Sequence, residues 1–152
     1  MKKSLLALSF GTLGLGIAEF VMMSILPDVA IDLCVSIPTA GHLISAYALG
    51  VCVGAPLTVF IARTRPLKQI LLGLITLFII GHLLTAASPT FGTMLLMRFI
   101  AGLPHGAYFG IGSIIADRVA DKGKSAQAIA VMVAGMTVAN LIGIPLGTFL
   151  SH

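Results

Sequence analysis

Apolar residues in this chain come in long runs, and polar residues are crowded into the short gaps between them. Five runs stand out: 5–26, 43–61, 70–87, 91–116 and 126–150. Crossing about 30 Å of hydrocarbon takes about 20 residues of α-helix at about 1.5 Å each, and every run is near or above that length. Three of the runs hold no charged residue; the first holds only Glu19 and the fourth only Arg98. Lipid cannot satisfy open backbone N–H and C=O groups, so the runs predict helices. The gaps carry the expected breakers: Pro27 and Pro38, Arg65-Pro66, Ser88-Pro89, and Asp121-Lys-Gly-Lys124. The pattern predicts an all-α membrane protein with five transmembrane helices.

Composition sharpens this. Of the 152 residues 58% are hydrophobic and 9% charged, against about 25% charged in a soluble domain, too few to cover a water-facing shell. The formal charge of +4 is confined to short connections, with no Trp and no basic stripe, which excludes nucleic acid as a partner. Lys2, Lys3, Arg63, Arg65, Lys68, Arg118, Lys122 and Lys124 fall in alternate gaps, and only Arg98 lies inside a span. By the positive-inside rule the N-terminus is cytoplasmic and His152 lies on the far side. A cleaved signal peptide would also begin with Lys2-Lys3 and an apolar run, but here the run continues past Gly16-Ile-Ala18 to Leu26. Cys34 and Cys52 have no metal-ligand spacing.

The chain repeats itself at an offset of 89 residues. Ser24-Ile25 matches Ser113-Ile114, Asp28 matches Asp117, Ser36 matches Ser125, and Phe20 and Phe60 match Phe109 and Phe149. Gly54-x-Pro56-Leu57 matches Gly143-x-Pro145-Leu146. One offset thus lays the first span on the fourth and the second on the fifth, which implies a three-helix unit. An odd number of spans per unit inverts successive units, as in secondary transporters. The same offset puts a sixth span near residue 159, so the chain reads as five helices of a six-helix bundle.

Small residues at four-residue spacing predict where helices approach closely: Ala46, Gly50 and Gly54; Gly102, Gly106 and Gly110; Gly135, Ala139, Gly143 and Gly147; and the shorter pair Gly14 and Ala18. The third span has only Gly73 and Gly81 and is expected at the lipid-facing periphery. Packing, rather than contact with a solute, is the reading for these glycines.

Several segments resemble a known family. Leu26-Pro-Asp-Val-Ala-Ile-Asp-Leu33, Ser45-Ala-Tyr-Ala-Leu-Gly50 and Gly54-Ala-Pro56 look like the start of a major facilitator superfamily transporter, most similar to the drug/proton-antiporter-like branch that includes sugar, purine and drug exporters. Arg98-Phe-Ile-Ala-Gly102-Leu-Pro-His-Gly106 resembles the fourth-helix motif of that family, and Ala139-Asn-Leu-Ile-Gly143-Ile-Pro145-Leu-Gly147 the fifth-helix Gly/Pro motif of its exporters. Two positions depart from the family pattern. Ala62 stands where the loop after the second helix usually has an acid, leaving Arg63 and Lys68 as that loop's cytoplasmic charges, and Ala101 stands where the fourth-helix motif often has Gln. The resemblance implies twelve helices in two halves around a central path, with the rest supplied by a C-terminal half or a partner chain.

A charge inside a span is costly and marks function by default. Glu19 and Arg98 each lie seven residues from the outer end of their runs, about 10 Å deep at 1.5 Å per residue. Equal depth on antiparallel helices makes them natural partners, and their separation and re-pairing a route to proton uptake and release. His105, seven residues after Arg98, is a third proton-coupling or cavity candidate; Tyr47 and Asn140 are candidates to meet a substrate. His42 and His82, near span ends, read as structural. No nucleophile–base pair, phosphate loop or metal cluster is legible, so neither an enzyme nor a cofactor is expected. The sequence therefore points to part of a proton-coupled exporter of small organic solutes in the bacterial inner membrane. The rival readings are a truncated, non-transporting membrane fragment or a subunit that needs a partner chain.

Overall fold

The structure, a computed structural model, describes residues 3–61 and 65–150, and these residues are helical apart from short connections. In chain order the helices are α1 Lys3–Ser24, α2 Leu26–Asp32, α3 Ile37–Ala40, α4 His42–Ile61, α5 Leu67–Ala86, α6 Phe91–Val119 and α7 Ser125–Leu150. Five of these elements, α1, α4, α5, α6 and α7, supply the helices long and apolar enough to cross a bilayer. The short α2 and α3 occupy the first connection, where only breakers were expected. Both have Pro in the first helical turn, where the missing N–H costs nothing and the fixed φ starts a helix rather than stopping one. Ser36 caps α3 by accepting from the Thr39 N–H, and Thr90 and Thr93 form a reciprocal capping box that starts α6.

The helices pack by exchange between the two repeats. The most extensive contacts are α1 with α7 and α4 with α6, followed by α5 with α6. Under the 89-residue offset α1 corresponds to α6 and α4 to α7, so one pairing maps onto the other. Glycines let the backbones meet. A Cβ at Gly50 or Gly54 would collide with the Phe99 or Leu103 carbonyl oxygen of α6, and one at Gly102 or Gly106 with the Tyr47 or Val51 carbonyl of α4. On the other seam Gly135 meets the Ser9 carbonyl, Gly143 faces Ile17 and Phe20, and Gly147 faces Ser24. Two hydroxyls cross this seam: Thr12 donates to the Met132 carbonyl at 2.5 Å and Ser24 to the Ile144 carbonyl at 3.1 Å.

Two expectations about glycines are corrected. Gly110 and Gly14 have nothing within 4 Å of a Cβ position, so neither seats a neighbour; α1 uses Gly16 against Ala139 and Gly11 against the Tyr108 ring instead. The third span does present much of its surface outward, with Leu72, Ile79, Ile80 and Leu83 exposed. Its contact with α6 runs through Gly81, where a Cβ would lie 2.9 Å from the Ala101 Cα. Ala101 is 0% exposed, so the close approach of α5 leaves no room for a longer side chain there. Pro56, Pro104 and Pro145 lie inside α4, α6 and α7. Lys68 is exposed in the first turn of α5, while Ala62 and Arg63 lie outside the described residues.

Candidate functional site

The bundle buries a polar cluster near the end opposite Lys3, Arg65, Lys68 and Arg118. Tyr47 and Arg98 stand five and seven residues from the starts of α4 and α6, and Glu19 five residues from the end of α1, which at about 1.5 Å per residue places all three about 8–10 Å below that end. His105 lies two turns deeper on the Arg98 face of α6. Tyr47, Arg98 and His105 are 1%, 2% and 4% exposed, whereas the Glu19 side chain is 30% exposed. Glu19 is thus where the cluster reaches the bundle surface.

The contacts form a chain. Glu19 Oε2 lies 3.8 Å from His105 Nε2. The other ring nitrogen, Nδ1, is 2.7 Å from the Tyr47 hydroxyl. The Arg98 guanidinium carbon sits 4.2 Å above the Tyr47 ring centroid, and Arg98 Nε donates to the Leu43 carbonyl at 3.4 Å. His105 also stacks on Phe109 at 5.5 Å, which fixes its ring plane. A desolvated cation over an aromatic face is worth about 2 kcal/mol, so ring, carbonyl and the nearby carboxylate together hold a charge that lipid would reject.

Depth alone suggested that Glu19 and Arg98 would touch. They do not pair directly among the described residues; His105 and Tyr47 lie between them. Tyr47, expected to face a solute, has its hydroxyl committed to His105 and its ring to Arg98, so in this conformation it belongs to the chain of contacts. Asn140 is exposed on α7 and forms no hydrogen bond among the described residues. His42 bonds the Thr39 carbonyl at 3.0 Å within its own turn. His82, read as structural, instead packs edge-on against Tyr47 with ring centroids 6.0 Å apart. Its signal in the sequence was depth: it sits four residues from the end of α5, level with Tyr47 and Arg98.

What this arrangement can do follows from its donors and acceptors. The imidazole has one nitrogen toward a carboxyl group and the other toward a phenol, so a proton can pass through it by tautomer exchange. Among the described residues no group of three or more His, Cys, Asp or Glu could hold a metal ion.

Residues 8–152 match the Major Facilitator Superfamily profile. The chain is 49% identical over its whole length to AraJ of Escherichia coli K12, covering 39% of that protein. It is 46% identical over 97% of its length to YdhP, an inner membrane transport protein of the same organism, covering 38% of it. It is 35% identical over 99% of its length to a chloramphenicol resistance protein of Streptomyces lividans, covering 38% of that protein. The chain therefore spans less than two fifths of the relatives it matches.

Proposed function

The chain belongs to the major facilitator superfamily, and from that premise we propose that it is the N-terminal part of a proton-coupled exporter of small organic solutes in a bacterial inner membrane, with its N-terminus in the cytoplasm. The observation that carries the reading is the contact chain Glu19–His105–Tyr47–Arg98, which joins a partly exposed carboxylate to a buried cation inside an apolar bundle. The orientation rests on the basic residues: in the described structure Lys3, Arg65, Lys68 and Arg118 gather at one end, and the cluster lies toward the other. The export direction and small-solute class draw on the relatives, one of which is named for inner membrane transport and another for chloramphenicol resistance.

The physical logic is charge balance. With Glu19 ionised, its charge offsets that of Arg98 within a low-dielectric interior. Protonating Glu19 from the outer side leaves the buried guanidinium without a counter-charge, an arrangement that is expensive away from water. The bundle then favours any rearrangement that re-solvates or re-pairs Arg98, and loss of the proton to the cytoplasm restores the first state. Helix seams made of glycine against carbonyl oxygen, as between α4 and α6, let the bundle move as one body against a second.

The test is transport driven by a gradient. Inside-out membrane vesicles carrying the full reading frame are given an acid interior and offered a panel of chloramphenicol, sugars and nucleosides. At least one solute should accumulate, and an uncoupler should abolish the accumulation. Flux that ignores the proton gradient for every transported solute contradicts proton coupling.

A further inference from the structure

His82 has no place in the chain of contacts just described, yet its surroundings are unusual. Its Nδ1 lies 2.9 Å from the Phe78 carbonyl oxygen. A carbonyl only accepts, so Nδ1 carries the hydrogen and Nε2 of the neutral ring carries a lone pair. That Nε2 is buried and has no hydrogen-bond partner in the protein. Buried polar atoms are nearly always paired, and an exception asks for an explanation. Phe78 packs against the ring with centroids 4.1 Å apart and planes tilted by 43°, and Tyr47 meets it edge-on at 75°. Tyr47 meets His105 in nearly the same way, at 5.6 Å and 80°. The phenol thus stands between two imidazoles and is bonded to only one of them.

We propose that His82 Nε2 is a second proton-binding site, the far terminal of the relay that begins at Glu19. This rests on the proton-coupled reading given above. The step balances as one proton moved. Protonated Glu19 gives its proton to His105 Nε2, and His105 Nδ1–H passes to the Tyr47 oxygen. With the phenol swung toward α5, the Tyr47 oxygen gives its own O–H proton to His82 Nε2 as it accepts the one from His105, so that it never holds two. Glu19 ends as a carboxylate, His105 and Tyr47 end neutral, and His82 ends as a cation donating from both nitrogens. The groups facing His82 are Tyr47 on α4, and Arg98 and His105 on α6 within electrostatic reach, with Glu19 on α1 behind His105. Arg98 opposes a second cation here, so the loaded His82 belongs to a state in which Arg98 has drawn away or Glu19 has re-ionised. The relay would then cross α1, α6, α4 and α5, giving the peripheral α5 a part in coupling.

The experiment compares two substitutions in vesicles carrying the full reading frame, with chloramphenicol as the probe, or the best-transported solute of the panel. His82→Asn keeps a donor near the Nδ1 position for the Phe78 carbonyl and removes the Nε2 lone pair. It should cut proton-driven accumulation at least tenfold and leave solute exchange without a gradient within about twofold. Glu19→Gln should show the same split. If Glu19→Gln loses the drive while His82→Asn keeps it, the His82 inference fails and the coupling reading stands; if both keep it, the coupling reading itself fails. A second measurement does not depend on a variant that folds: 15N NMR of histidine-labelled wild-type protein in lipid. The His82 Nε2 signal should move from the bare to the protonated position as pH falls from 9 to 5. A signal that stays bare throughout overturns the proposal.

Discussion

Tyr47 is the residue on which the buried cluster turns, because its ring and its hydroxyl serve different partners. The ring carries the Arg98 guanidinium and the hydroxyl bonds His105. Tyr47→Phe separates the two roles. The ring under Arg98 stays, while His105 Nδ1 loses its partner in a buried site, which costs about 1–3 kcal/mol. The variant should therefore insert and fold, melt at a moderately lower temperature in detergent, and lose at least tenfold in proton-driven flux. Tyr47→Leu also removes the cation–π contact and should lower protein abundance in the membrane. Wild-type coupling in Tyr47→Phe would remove the phenol from the relay. At this scale the sequence was informative about which residues matter and silent about how they meet. Glu19 and Arg98 announce themselves as charges in apolar runs. Their equal depth is one coordinate only; the angle around each helix axis decides contact, and it places His105 and Tyr47 between them. His82 read as structural for the same reason, since only the rotation of α5 shows that its ring faces Tyr47.

At the scale of elements, the spacing of small residues marks candidate seams, and packing decides which are used. Gly54 and Gly110 both belong to four-residue glycine patterns, yet Gly54 presses on the Leu103 backbone and Gly110 meets open space. Gly54→Ala must push α4 off α6 against backbone atoms that cannot yield, and should cost about 2 kcal/mol or more of thermal stability. Gly110→Ala has room, and removing a helix-interior glycine should leave stability unchanged or raise it by up to about 1 kcal/mol. Thermal unfolding of both variants in the same detergent checks the pair; equal effects would contradict the seam assignment. The long helices were legible because apolar runs of this length have no other use. The short helices α2 and α3 were not, because Pro27 and Pro38 read as breakers until the chain around them shows that each sits in a first helical turn.

For the molecule as a whole, the 89-residue repeat and the crossed pairing describe one design: α1 and α4 of the first unit pack against α7 and α6 of the second. The consequence for function is that the charged cluster sits on the seams where the units meet, with Glu19 from α1, Tyr47 from α4, and Arg98 and His105 from α6. On the proposed coupling, a proton arriving at Glu19 would act on contacts that hold both units together. On the export reading the solute is not legible in these residues, because Thr137 and Asn140 are exposed polar groups on an otherwise apolar stretch of α7 and selectivity would rest also on whatever faces them across the path. The central claim, that Glu19 carries the coupled proton, has a direct measurement. In vesicles carrying the full reading frame, proton-driven accumulation and gradient-free exchange of one solute are compared between wild type and Glu19→Gln. The account predicts that the variant loses accumulation and keeps exchange; accumulation at the wild-type rate, or loss of both activities with normal protein abundance, would contradict it.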